Sequence, residues 1–153
     1  MNTLIIIITI VGLLIDQVSK FIISYLFELN HSIKLINNFL SFTYKHNYGA
    51  AWGILSGLNI LFILMALIGL YLIYKYIDEF KSNKRNKIAF GFLLAGISGN
   101  LIDRIFFGYV RDFIDVKIFN YNFPIFNLAD SLIVIGAILI IFAIIKGEDK
   151  REN

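Results

Sequence analysis

Four long apolar segments dominate this chain, and they restrict it to a membrane. They run over about residues 3–27, 58–76, 88–107 and 128–145. A hydrocarbon core of roughly 30 Å is crossed by about 20 helical residues, so each segment predicts one transmembrane helix. The charge content agrees. Only 16% of the 153 residues are charged, whereas a soluble domain carries about a quarter. The mean hydropathy is +0.75. The first segment lacks the basic start and the small-residue cleavage site of a signal peptide, which predicts an uncleaved span. With one Pro, no low-complexity linker and no internal repeat, a single polytopic domain over 1–153 is expected.

The connections set the orientation. Lys75, Lys81, Lys84, Arg85 and Lys87 surround the second loop, and Lys146, Lys150 and Arg151 follow the last span. The other two connections hold only Lys34, Lys45, Arg104, Arg111 and Lys117. Lys and Arg collect on the cytoplasmic side, so both termini are expected inside, with 28–57 and 108–127 outside. A net charge of +3 fits that orientation better than nucleic-acid binding. In the outer connections, residues 39–45 alternate and are aromatic, which predicts a strand. Residues 120–124, Asn-Tyr-Asn-Phe-Pro, predict a turn into the fourth span.

Two aspartates then stand out. Asp112 lies in Val110-Arg111-Asp112-Phe113, and Asp130 on the first turn of the fourth span, in Phe126-Asn127-Leu128-Ala129-Asp130. Carboxylates at this depth are costly and are functional by default. Asp130 alone is explained as an acid on a helix N-terminus, with Asn127 as its cap. That explanation does not reach Asp112. Two carboxylates meeting at a water–membrane boundary can share a proton and activate water. Asp115 competes with Asp112 and is expected to be the solvated one. Further polar residues mark the other spans. Asp16 and Lys20 share a helix face at i,i+4, which predicts an ion pair. Gly96, Ser98, Gly99, Asn100, Asp103 and Arg104 predict close packing and a polar network at the outer end of span three. The chain has no Cys and two His. Disulfides and thiol catalysis are excluded, and no metal or cofactor is expected.

In order, these motifs resemble those of the signal peptidase II family of aspartyl proteases. They are Asp16-Gln17-Val18-Ser19-Lys20, Asn47-Tyr48-Gly49-Ala50-Ala51-Trp52, Gly99-Asn100-Leu101-Ile102-Asp103-Arg104, and the two aspartate motifs. The family commonly has Phe where this chain has Trp52. The resemblance implies a membrane all-α fold with a small β element. Its parts would be four transmembrane helices, an extracytoplasmic β-rich cradle and a short interfacial helix. It implies cleavage of prolipoproteins just before a diacylglyceryl-modified cysteine, with Asp112 and Asp130 as the catalytic pair. Asp16, Lys20, Asn47, Gly49, Ala50, Asn100, Asp103, Arg104 and Asn127 fall on supporting positions. The expected partners are lipidated prolipoprotein signal peptides and membrane lipid, with the enzyme a monomer in the bacterial cytoplasmic membrane and its site on the outer face. A small transporter and a non-enzymatic assembly subunit are the rivals.

Overall fold

The computed structural model describes residues 2–50, 54–119 and 121–149. Four helices fall on the four apolar segments: α1 Thr3–Leu26, α2 Asn59–Tyr76, α3 Lys84–Phe106 and α4 Leu128–Ile145. Four strands fill the connections on one side: β1 Ser32–Ile36, β2 Leu40–Asn47, β3 Val110–Ile118 and β4 Tyr121–Asn122. All four helices are long and apolar enough to cross a membrane. Their outward Ile, Leu and Val side chains are exposed, as lipid-facing surface must be.

Asparagine starts three of the helices. The side chains of Asn2, Asn83 and Asn127 accept from the backbone N–H of Leu4, Asn86 and Asp130, satisfying donors that a helix leaves orphaned. The centre of the bundle is α3, on which α1, α2 and α4 all pack. Its glycines explain how. A Cβ at Gly96 would collide with the backbone oxygen of Ala129, and one at Gly99 would lie 2.5 Å from Oδ2 of Asp16. Without those side chains, α1 and α4 approach α3 at backbone distance. By contrast, α2 buries only Phe62.

The strands form one antiparallel sheet in the order β1-β2-β3-β4. The register pairs Lys45 with Asp112 and Asn47 with Val110, and it shifts between Phe42 and Lys45. Beneath the sheet, Tyr44 and Phe113 pack on Ile23 of α1, with Phe27 and Leu128 around them. The approach to α4 is tied to β3: the amides of Phe113 and Ile114 both donate to the Phe126 carbonyl, at 3.0 and 2.7 Å. Asp112 and Asn127 are thereby brought to one place.

One local expectation needs adjustment. Tyr121 and Asn122 extend into β4 opposite Ile118 and Lys117. The reversal instead uses Phe119 at φ +45°, while Asn120 lies outside the described residues. A short interfacial helix is not among the described elements. Residues 54–57 form turns, and Ala51 and Trp52 lie outside the described residues.

Asn2, Glu148 and the α2–α3 connection gather at the pole opposite the sheet. The Lys81 amide donates to the Glu148 carbonyl at 2.8 Å, and Asn2 and Lys81 share one small cavity.

Candidate active site

Two carboxylates and three carboxamides meet where the sheet sits on the helices. Asp112 is 2% exposed. It accepts from Nδ2 of Asn47 at 2.8 Å and from Nδ2 of Asn127 at 2.6 Å. Asp130 accepts from Nδ2 of Asn100 at 2.7 Å and from the backbone N–H of Asn127 at 3.1 Å. Asn127, fully buried, therefore holds one aspartate with its side chain and the other with its backbone. Its side-chain oxygen also takes the Asp130 amide at 3.0 Å, so Asn127 and Asp130 form a capping box. Asp130 is thus the capping acid of α4 and, through Asn127, a neighbour of Asp112.

The carboxamides are themselves fixed in orientation. Asn47 Oδ1 accepts the Gly49 amide at 2.9 Å, which turns its Nδ2 towards Asp112. Asn100 Oδ1 accepts from Lys20 Nζ at 3.0 Å and from Asn127 Nδ2 at 3.2 Å, which turns its Nδ2 towards Asp130. Neutral amides supply all the hydrogen bonds to the two aspartates described above. Burial and the negative charge of Asp130 raise the Asp112 carboxyl from 3.8 to about 7, against the pull of Asn47 and Asn127.

Charge is gathered one layer behind. Lys20, fully buried, lies 2.9 Å from Asp16 Oδ2 and 3.6 Å from Asp103 Oδ2. Asp103 is also gripped by Arg111 through the backbone N at 2.9 Å, Nε at 3.1 Å and Nη2 at 2.7 Å. Gln17 donates to Asp16, Asp103 and the Gly99 carbonyl, and accepts from Arg111 Nη2 at 3.0 Å. Asp16 Oδ1 takes the Ala129 amide at 2.9 Å, an anion at the start of α4 where the helix dipole favours it. Two carboxylates and two cations balance, which makes their burial tolerable.

A cavity of about 560 Å³ opens beside Asp130. Asn47, Gly49, Ala50, Asn100 and Arg104 give it a polar edge, and Val110, Pro124, Ile125, Val134 and Ile135 an apolar wall. Arg104 donates through Nη2 to the Gly49 carbonyl at 2.8 Å and lies 4.2 Å from the Phe62 ring centre. A buried pair of carboxyls, one of them raised to about 7, on the wall of an apolar cleft, can hold one proton between two oxygens and polarise water.

Every expected site residue falls in this assembly: Asp112, Asp130, Asn47, Asn100 and Asn127 meet directly, Gly49, Ala50 and Arg104 line the cleft, and Asp16, Lys20 and Asp103 stand behind. Asp115 is more exposed than Asp112, as expected, but it is also bonded. It is half-buried and accepts from Thr43 Oγ1 at 2.8 Å, so the sheet holds it. Gln17 and Arg111 had not been singled out. The signal for Arg111 was its place beside Asp112, and for Gln17 its place beside Asp16.

Comparison with known proteins gives one answer. Residues 8–146 match the family described as Signal peptidase (SPase) II. A Staphylococcus aureus protein named lipoprotein signal peptidase is 44% identical over 149 residues, 97% of this chain and 91% of its own length. Its counterpart in the bovine strain RF122 / ET3-1 is 43% identical with the same coverage. Two solved structures, each described as a bacterial membrane enzyme, are similar throughout. One has a TM-score of 0.85 at 43% identity, covering 97% of this chain and 92% of its own. The other has a TM-score of 0.82 at 44% identity, covering 93% and 92%.

Proposed function

The chain belongs to the signal peptidase II family, and we propose that Asp112 and Asp130 are the catalytic pair with which it removes signal peptides from diacylglyceryl-modified prolipoproteins. The observation that carries this reading is Asn127. One fully buried residue bonds both aspartates, and no ion pair reaches either of them among the described residues. A fully buried carboxylate ordinarily has a cation for a partner.

The reaction follows from the shared proton. The ionised carboxyl takes a proton from a water molecule, whose oxygen attacks the scissile carbonyl carbon. The protonated carboxyl donates to the carbonyl oxygen as it becomes tetrahedral. As the C–N bond breaks, the amine takes a proton from one carboxyl and a hydroxyl of the intermediate returns one to the other, so the pair regains its single proton and no acyl-enzyme forms. Asn47, Asn100 and Asn127 keep the carboxyls in register. Gly49, Ala50 and Arg104 line the cleft where the extended substrate would lie.

The location suits the substrate. A signal peptide is an apolar helix that stays in the bilayer, while its scissile bond needs water. The aspartates sit at the sheet end of the bundle, and the basic α2–α3 connection lies at the other. The distribution of Lys and Arg supports both termini in the cytoplasm and the site on the outer face. We read the chain as one domain acting as a monomer, without metal, cofactor or nucleic acid. Transport is disfavoured because the polar groups end in a one-sided cleft, while α4 beyond its first turns is apolar.

The test is cleavage by purified protein. A diacylglyceryl-modified prolipoprotein should be cut immediately before its lipidated cysteine, and the unmodified precursor should not. Cleavage should resist chelators and serine- or cysteine-directed reagents. Loss of activity with EDTA and its return with zinc would contradict the aspartyl mechanism.

A further inference from the structure

Arg111 grips a buried carboxylate from the residue next to Asp112. It immediately precedes Asp112 in β3, and it is 7% exposed. Its three hydrogen bonds to Asp103 include one from its own backbone N–H, at 2.9 Å. The guanidinium closes the grip through Nε at 3.1 Å and Nη2 at 2.7 Å, and Nη2 also reaches Gln17 on α1 at 3.0 Å. Its outer side lies 4.6 Å from the Phe107 ring centre. Few side chains can do this: a planar fork with several fixed donors matches a carboxylate, whereas an ammonium does not.

The position of this grip matters more than its strength. Asp103 lies one turn beyond Asn100 on α3, and Asn100 bonds Asp130. Asp103 also faces Lys20, which bonds Asn100. One buried carboxylate is thus tied to both halves of the pair. Through Arg111 it holds the strand residue next to Asp112. Through Lys20 and Asn100 it reaches Asp130. We propose that Arg111 is a positioning residue, which clamps the strand carrying Asp112 onto the helix carrying Asn100 and so fixes the separation of the two carboxyls. The inference rests on the aspartate pair being catalytic.

Arg111 touches neither aspartate side chain, nor does it line the cleft, so its loss should alter chemistry and spare substrate binding. A misplacement of about 1 Å can cost about 100-fold in rate. Arg111→Met should lower kcat by about 10- to 100-fold with KM little changed. Arg111→Lys keeps the charge and the backbone bond but loses the fork, and its kcat should fall between that of Arg111→Met and the parent. Charge balance is a competing explanation, because Arg111→Met leaves Asp16 and Asp103 facing Lys20 alone. The double variant Asp103→Asn with Arg111→Met restores that balance without restoring the clamp, and its kcat should stay low.

The experiment is steady-state cleavage of a lipidated prolipoprotein by the full chain and these three variants, with thermal unfolding of each in the same detergent. Low kcat at retained KM in folded protein supports the clamp. Parent-like kcat in both single variants overturns it. Recovery of kcat in the double variant overturns it in favour of charge balance. If activity merely follows the fraction of folded protein, in Arg111→Lys as in Arg111→Met, Arg111 serves folding only, and the proposal also fails. Failure of the aspartate reading would show separately, as activity retained in Asp112→Asn.

Discussion

The two poles of the molecule each hold a carboxylate bonded by two asparagines, and they treat it in opposite ways. At the basic pole, Glu148 accepts from Asn83 at 2.7 Å and from Asn86 at 3.3 Å, and it pairs with Arg85. Its carboxyl is held below the usual range, chiefly by the Arg85 hydrogen bond and then by Asn83. At the sheet pole, Asp112 accepts from Asn47 and Asn127, but it is buried and its charged neighbour is a second carboxylate. It rises to about 7. The amide donors are alike. Burial and the sign of the third charge separate a structural clasp from a group that can exchange a proton at neutral pH.

The sharpest way to break this contrast is to give Asp112 a cation partner of its own. Asn47→Lys would place an ammonium where a neutral amide now meets Asp112. The pair would lose its shared proton at neutral pH, and cleavage should fall by about 100-fold or more, the usual contribution of acid–base catalysis. Parent-like cleavage in that variant would show that the missing counter-ion is irrelevant. Asn127→Ala comes next. It removes the donor to Asp112 and the cap of α4, so cleavage should drop steeply, while the lost cap costs about 1 kcal/mol in stability. Rate measurements and thermal unfolding on one preparation separate the two effects.

The pH dependences should also oppose each other. Activity needs one proton on the pair, so kcat/KM should be bell-shaped, with its basic limb near pH 7, where Asp112 loses its proton. Stability carries a sign as well. Between 3.8 and about 7 the folded Asp112 holds a proton that the unfolded chain has lost. This group therefore lowers stability as pH rises through that window. Glu148 works in the other sense: its lowered carboxyl favours folding above the unfolded value, and that contribution is lost as pH falls through the folded one. Unfolding midpoints measured from pH 4 to 8 should show the Asp112 slope disappear in Asp112→Asn. The smallest effect should be that of Glu148→Gln: a shallower acid limb of stability, with cleavage at the parent rate.

How much of this was legible in the sequence depends on how local each signal is. The spans were legible because hydropathy is a property of consecutive residues, and all four helices lie where the apolar runs do. The Asp16–Lys20 pair was legible because i,i+4 spacing fixes a shared face. Asp112 and Asp130 stood out because carboxylates are rare at that depth. Gln17 and Arg111 were not legible. Their partners lie on other elements, and no spacing rule says that β3 will dock Arg111 against α3. The bond to Asp115 was hidden for the same reason, since its partner Thr43 comes from the facing strand. From spacing alone Asn127 was legible only as a cap, and the resemblance added a supporting place. Its second task appears once the Phe126 carbonyl ties the approach to α4 onto β3.

The central claim is that Asp112 and Asp130 act as one catalytic unit. It is tested most directly by the rate at which Asp112→Asn, Asp130→Asn and the double variant cleave a lipidated prolipoprotein, each as folded protein at equal concentration. The account predicts that either single change abolishes cleavage and that the double variant is little worse than either one, because groups acting as a unit are not additive. Substantial cleavage by either single variant would contradict it, and would move the chemistry to Asp103 or Asp115.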